Sequence, residues 1–418
     1  MAGGTRIPRE KGLDNSLSLM QEGYLYIPNR CRQYQSNIFE TRLLGKKAIC
    51  MSGEEAAEIF YDNDRFQRKG AAPKRVQKTL FGMNGVQTLD GAAHHNRKQL
   101  FMSLMTEKRL KVLNDITAEQ WQASITEWEK KDKVVLLEEA RQIMYRVGCK
   151  WAGVPVEEGQ VKQHAGNLGA MIDAFGAVGP RYQKGRRART RMERWARQII
   201  TDVRSGKLKP PEETAAYAMA FHLDLSNKKL STQMAAVELL NIIRPIVAIS
   251  RYITFGAMTM HEHPEIQEKV RQDKESYRQW FVQEIRRFYP FGPFTGAKVR
   301  RDFTWNGFDF KKGTLVLLDL YGTNHHPEIW KEPEQFRPER FRHWKGSPFD
   351  FIPQGGGEYD MGHRCAGEWV TIEVMKTSLA FLMLIEYEVP PQDKSIDLAR
   401  MPALPKSRFV ITNITSIS

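Results

Sequence analysis

Apolar residues recur every three to four positions over most of this chain. That helical period dominates from Ala92 to Ile200 and returns from about Ser231 to His261. At ~1.5 Å per residue the second stretch would span roughly 45 Å, enough to cross a whole domain. A polar, Pro-containing loop separates the two, Gly206 to Glu213. Residues up to about 60 suggest short strands instead, with LLGKKAICMSG (Leu43 to Gly53) leading into a helix at Glu54 to Tyr61. Strand-like pieces return late: DFTWNGFDF, a turn at Lys312–Gly313, then TLVLLDLYG. A last helix, Glu368 to Ile385, and a short β tail complete the pattern. It predicts a mainly α fold with a small β region.

The 418 residues would by length alone suggest two or three domains. No Pro/Ser/Gly-rich linker, composition break or repeat divides them, so a single domain over 1–418 is expected, long enough to bury a cofactor completely. No run of about 18 apolar residues predicts a membrane span. The stretch MAGGTRIPREKGLDN lacks the apolar core of a signal peptide. Cys31, Cys50, Cys149 and Cys365 form no C-x-x-C pair, the usage of a reducing compartment. A soluble cytoplasmic protein is the expectation. The net charge is +14, densest at Lys184 to Arg197. Stacking aromatics do not alternate with those arginines, so the stretch reads as a solvated helix face rather than a nucleic-acid site. A general attraction for anionic small molecules is its further implication.

The chemistry concentrates at Cys365, in FIPQGGGEYDMGHRCAGEW. This Gly-rich loop runs into an apolar-periodic helix, whose N-terminus offers positive potential and N–H donors to a thiolate. His363 and Arg364 add positive charge, and Ala366 and Gly367 leave room for something flat. An isolated cysteine after such a turn would read as structural. Two upstream motifs change that. In FVQEIRRFYP, Glu284 and Arg287 share a helix face at a spacing of three. FRPERF supplies Arg340, and one acid with two arginines can form a closed, charge-compensated network. E-x-x-R alone occurs on many solvated helices; the order E-x-x-R, PERF, cysteine loop is specific.

That order resembles the cytochrome P-450 superfamily, whose cysteine ligates heme iron and whose thiolate favours O–O cleavage. The resemblance implies heme b (iron protoporphyrin IX) on Cys365. It also implies propionate contacts from His94 and Lys98, four apart after Asp90, from His363, and from Arg68. Members normally carry Phe seven residues and Gly four residues before the cysteine. Here those positions are Glu358 and Met361, with Phe351 and Gly355 displaced upstream, so the loop is lengthened on the face where an electron donor docks.

Oxygen-activating members place an acid–threonine pair in the middle of the long helix. This chain has LLNIIRPIVAIS, Leu239 to Ser250, with Arg244 followed by Pro245. Arg244 has no acid one helical turn away on either side, and an unpaired charge in an apolar run is costly. A carboxylate on the substrate is the expected partner, and it would double as the acid–base group for splitting peroxide. Pro245 removes the bond to the Asn241 carbonyl and predicts a kink there.

The arginine–proline pair and the long loop narrow the resemblance to the bacterial fatty-acid peroxygenases. So do KGLDNSL, GYLYI, PKRVQKTLFG, FMSLMT, WAGVP, RRFYPFGPF, LDLYGTNH and IPQGGG, which together span nearly the whole chain. That branch hydroxylates long-chain fatty acids at the α or β carbon with hydrogen peroxide, without an obligatory reductase, and some members form terminal alkenes. Decarboxylating members carry His where this chain has Gln87. Gln cannot donate a proton as an imidazolium can, which favours hydroxylation. Phe81, Phe291 and Gly292 match substrate-channel positions; aromatic core packing is their alternative. A reductase-dependent monooxygenase and a non-catalytic heme sensor are the competing functions. The missing acid–threonine pair speaks against the first, and the buried arginine against the second.

Overall fold

The computed structural model describes residues 7–273 and 275–416. The chain opens with two helices, α1 (Ser16–Glu22) and α2 (Tyr26–Tyr34), where the sequence pattern suggested strands. Pro28 does not prevent α2, because it lies in the first turn, whose N–H groups have no helical acceptor. The expected strands follow as β1 (Ile38–Leu43) and β2 (Lys46–Met51), and the expected helix as α3 (Glu54–Phe60). Next come β3 (Phe66–Gln67), the single turn α4 (Lys74–Val76), α5 (Gly91–Met102) and α6 (Glu107–Trp128). The strand β4 (Lys133–Val135) interrupts the helical region before α7 (Leu136–Ala152), α8 (Val161–Asp173), α9 (Gly179–Arg204) and α10 (Ala215–Phe221).

The long apolar stretch forms α11 (Thr232–Ala248) and α12 (Ser250–Glu262). Helical structure continues through Pro245 and is interrupted at Ile249, whose N–H reaches back only to Ile246. The break in the helix therefore lies one turn beyond Pro245, where the kink was expected, and takes the form of a local 3₁₀-type tightening. Together Thr232–Glu262 is long and apolar enough to cross a membrane, but 78% of its apolar window is buried inside the fold. It is a core helix, packed on α7 and α9. In α12, Gly256 allows close approach to its neighbours: a Cβ there would stand 2.7 Å from Leu379 and 3.0 Å from Ile285.

After α13 (Pro264–Gln272) and α14 (Ser276–Phe288) the chain returns to the sheet with β5 (Phe294–Val299), a hairpin of β6 (Phe303–Trp305) and β7 (Phe308–Phe310), and β8 (Leu315–Asp319). The five-stranded order is β1-β2-β8-β5-β3, with β2 and β8 parallel. The short α15 (Leu320–Asn324) follows, and α16 (Glu368–Leu382) carries the cysteine loop on its N-terminus. This helix ends earlier than its apolar period suggested. Ile385 begins β9 (Ile385–Glu388), which joins β10 (Val410–Ser416) and β4 in a second sheet. The predicted single, mainly helical fold with a small β region is what the structure has.

Candidate active site

The two upstream motifs meet as the spacing required. Glu284, fully buried on α14, receives Arg287 Nε and Nη2 at 2.8 Å each. Arg340 Nε lies 3.1 Å from the same carboxylate, and the Arg337 N–H donates to it at 2.8 Å. Both guanidiniums use their remaining N–H groups on backbone carbonyls, Asn324 and Pro333 for Arg287, Lys331 and Gln335 for Arg340. Both Glu284 oxygens accept from guanidinium groups, and the arginines spend further N–H groups on carbonyls, so the buried charges are compensated in place. The network fixes the segment leading to the cysteine loop.

A second lock escaped the sequence reading. Arg286, next to Arg287, binds Glu368 at 2.6 Å, and Arg364 Nε binds the other oxygen of Glu368 at 2.6 Å. Glu368 is the first residue of α16, so the two arginines and the helix N-terminus hold the loop's exit. Arg286 also orients Gln354 (3.2 Å). The Gln354 amide then donates to Thr371 Oγ1 (3.0 Å) and approaches Cys365 Sγ at 3.8 Å. The only sequence hint was IPQGGG. Burial pushes the Cys365 thiol pKa up, and the Gly367 N–H, Lys98 and Arg286 oppose that. The loop folds back on itself through Cys365 N–H to the Gln354 carbonyl (3.2 Å) and Tyr359 hydroxyl to the Ala366 carbonyl (2.7 Å).

The basic cluster comes together beside this loop. Lys98 Nζ donates to the Arg364 carbonyl at 2.5 Å. The His94 and His363 rings lie against each other, tilted by 31°, with centroids 3.9 Å apart. Burial and the neighbouring cations push both imidazole pKa values down, His94 to about 4 and His363 further, so both are neutral at pH 7. In the protein alone, burial and the neighbouring cations favour the neutral form of His363, and Arg364 is matched by Glu368. Asp90 is occupied by the Arg68 and Lys69 N–H groups at 2.7 and 2.8 Å, with His363 Nε2 at 3.8 Å. Arg68 is 6% exposed, and its guanidinium lies over Phe60 and Tyr61 and forms no ion pair among the described residues, Asp90 acting on it only through space. A buried guanidinium without a counter-ion calls for an anion from outside the chain. A sulfur with amide donors on one side and anion-seeking bases beside it fit a heme and its propionates.

Arg244 has the same need in stronger form. It is 7% exposed, its Nε has no partner, and Nη2 reaches only Asn241 Oδ1 at 3.4 Å. Burial, then repulsion from Arg189, lowers its pKa to about 9, with Cys365 pulling the other way; it is charged at neutral pH. The acid on the preceding turns, Glu238, is already committed. It accepts from Arg97 (2.6 Å), the Val86 N–H (2.9 Å) and Asn241 (2.9 Å). Asn241 also donates to the Phe81 carbonyl (3.0 Å). A Cβ on Gly85 would be 3.1 Å from both Asn241 Nδ2 and Gln87 Oε1, so these groups converge, and Gln87 Oε1 is buried without a donor.

Arg189 corrects the expectation of a uniformly solvated basic face. Gly185, Ala188, Arg189, Met192 and Ala196 form the buried stripe of α9, and Arg189 turns inward to Glu193 and the Leu80 carbonyl (2.9 Å). Phe291 stacks on Tyr252 at 4.5 Å, and its carbonyl accepts from the Tyr24 hydroxyl. Gly292 is not crowded: a Cβ would meet Leu320 at 3.4 Å.

A family model described as Cytochrome P-450 matches residues 179–411. Curated relatives include beta-amyrin 28-monooxygenases of Kalopanax septemlobus and Panax ginseng, 24% and 25% identical over 92% of this chain and 86% of theirs. Among solved structures, cytochrome P450EX alpha (CYP152N1) with myristic acid is 47% identical, covers 99% of this chain and 100% of its own, and superposes with a TM-score of 0.96. Cytochrome P450SP alpha (CYP152B1) in complex with (R)-ibuprophen is 45% identical, covering 97% of this chain and 100% of its own, at 0.95. Ligand-free cytochrome P-450 OleT is 40% identical, with 99% of both chains covered, at 0.96. Agreement on this scale, with the cysteine loop and its locks in place, makes the protein a heme-thiolate enzyme. The chain belongs to the cytochrome P-450 family, in the peroxygenase branch, CYP152, that its sequence resembles.

Proposed function

We propose that the protein hydroxylates long-chain fatty acids at the β and α carbons with hydrogen peroxide as oxidant, releasing some terminal alkene, and needs no reductase. One observation carries this: among the described residues Arg244 is a buried cation without a counter-ion, electrostatically linked to Cys365, on a helix whose nearest acid is spent on Arg97. Relatives solved with myristic acid and, in a variant of OleT, with arachidonic acid support a long-chain acid as the guest.

In this reading Cys365 holds the iron of heme b, and Lys98, His94, His363 and Arg68 receive the propionates; a carboxylate reaching the two imidazoles would raise their pKa values. When bound, the heme supplies the redox chemistry of O–O cleavage and C–H oxidation. Arg244 fixes the fatty-acid head group by a charge-assisted fork. That carboxylate accepts and returns a proton as peroxide is split, work worth ~10²–10⁴-fold for a placed acid–base group. Asn241 steadies Arg244 and the Phe81 carbonyl together. Pro245, which cannot donate to the Asn241 carbonyl, loosens the helix beside the head group. With the head anchored, only the first carbons of the tail come near the iron. Phe81, Phe291 and Gly292 guide the tail, and neutral Gln87 favours hydroxylation over decarboxylation. Peroxide brings both electrons, so the net change is C–H to C–OH with release of water.

The test is turnover of a long-chain fatty acid by the purified holoenzyme with hydrogen peroxide alone. Hydroxy acid is the expected product. Product formed only with NADPH and a reductase contradicts the reading.

A further inference from the structure

Six cations from four stretches of chain surround one surface cavity of about 410 Å³. Arg141 comes from α7, Lys162 from α8, Arg181 and Lys184 from α9, and Arg400 and Arg408 from the segment before β10. The size is within the ordinary range of small-molecule sites, about 300–1,000 Å³. Two carboxylates also line it, and both are engaged. Glu138 pairs with Arg408. Asp173 takes Arg141 at 3.1 Å and Arg400 at 3.4 Å, and it also pairs with Arg251 of the core helix α12. Six cations against two anions leave a formal surplus of four positive charges around the cavity. Among the described residues, Lys162, Lys184 and Arg181 have no ion-pair partner; Arg181 reaches only the Met401 carbonyl, at 3.3 Å.

A solvated basic helix explains part of α9 but not this arrangement. Cations on a freely solvated face spread apart, because like charges repel. Here the chain gathers them from elements distant in sequence around one hollow, and Asp173 ties two of them to the core. Lys184 also lines an adjoining cavity of about 420 Å³ with Arg187 and Arg191, so the positive surface continues along α9. A single carboxylate would leave most of these charges unmatched. Several closely spaced negative charges would match them.

We infer that this cleft, separate from the Arg244 site, binds several closely spaced phosphate groups, supplied either by a soluble polyphosphate or by the head groups of a lipid surface. Lys162, Lys184 and Arg181 are the free donors, and the Asp173-anchored arginines form the fixed wall. Such binding weakens with added salt, since the contacts are exposed to solvent.

The experiment titrates the holoenzyme calorimetrically with inorganic tripolyphosphate, and in a second arm co-sediments it with phosphatidylglycerol or phosphatidylcholine vesicles. Saturable one-to-one binding of tripolyphosphate, weakened about tenfold or more by Lys184→Glu or Lys162→Glu and retained by Lys184→Arg, supports a soluble ligand; loss of one charge-assisted hydrogen bond has that size. Sedimentation with phosphatidylglycerol only, abolished by the same charge reversals, supports the lipid source. Fatty-acid turnover stays at the wild-type level in all three variants, since none of these residues belongs to the oxidation site. Absence of binding in both arms overturns the inference, and so does binding that Lys184→Glu and Lys162→Glu leave unchanged.

Discussion

Arg287 and Arg244 are both buried guanidiniums, and they live in opposite circumstances. Arg287 meets a bidentate carboxylate and backbone carbonyls that use its donors. Arg244 meets one long contact to an asparagine and keeps an orphaned Nε. Desolvation penalises both. In the first place the chain supplies the compensation, so the group is structural. In the second the compensation is missing, so the group is a receptor. Burial of a cation alone distinguishes nothing; the completeness of its partners does.

Breaking the complete site has the largest expected effect. Glu284→Gln leaves Arg287 and Arg340 buried without their counter-ion, a loss of ~3–5 kcal/mol. That is a large share of the ~5–15 kcal/mol that holds a typical domain together. Little soluble, heme-loaded protein should be recovered, as read by yield and by absorbance of the bound heme. A well-folded, heme-loaded Glu284→Gln protein would show that the network is dispensable.

Asp173 offers a gentler case of the same kind. Burial pushes its pKa up, but Arg251, Arg141 and Arg400 outweigh that and hold it below the ordinary carboxylate value. A carboxyl depressed in the folded state contributes stability above its unfolded pKa, ~3.9, and loses it as pH falls through the folded value. Thermal unfolding of the wild type should therefore show a steep acid limb below about pH 4. Asp173→Asn should lower the melting temperature at pH 7 and flatten that limb. An unchanged acid limb would mean the cluster is not coupled to folding.

The smallest effect belongs to Gln87→His. An imidazolium near the anchored head group can donate a proton that an amide cannot, so the alkene fraction should rise relative to hydroxy acid. A product ratio that stays constant would show that substrate pose, not residue 87, decides the outcome.

The two arginine sites also differ in how far the sequence revealed them. Glu284 and Arg287 are three residues apart on one helix, and PERF follows in a fixed order, so local spacing was enough. Arg244 was legible for the converse reason: its helix neighbours lack an acid. The Arg286–Glu368 pair spans 82 residues and the Arg97–Glu238 pair 141, and no local period encodes such contacts. Arg189 sits in a run of solvated arginines, and charge composition alone does not separate it from them; its place on the buried stripe of α9 does. In α16 no Gly or Pro marks the stop, and apolar residues run on into β9. Ile385 is buried in either conformation a local pattern allows, so only pairing with β10 shows where the helix has ended.

The most direct test of the receptor reading compares a long-chain fatty acid with its methyl ester, at equal peroxide, in wild type and Arg244→Ala. Removing one partner of a buried ion pair costs ~3–5 kcal/mol, or roughly 10²–10³·⁵ in affinity at about 1.4 kcal/mol per decade. Wild type should turn over the free acid and nearly ignore the ester. Arg244→Ala should keep its heme and thiolate spectrum, lose almost all turnover of the acid, and no longer discriminate acid from ester. An Arg244→Ala enzyme that still prefers the free acid, at near-wild-type rate and with the same carbon oxidised, would contradict the account.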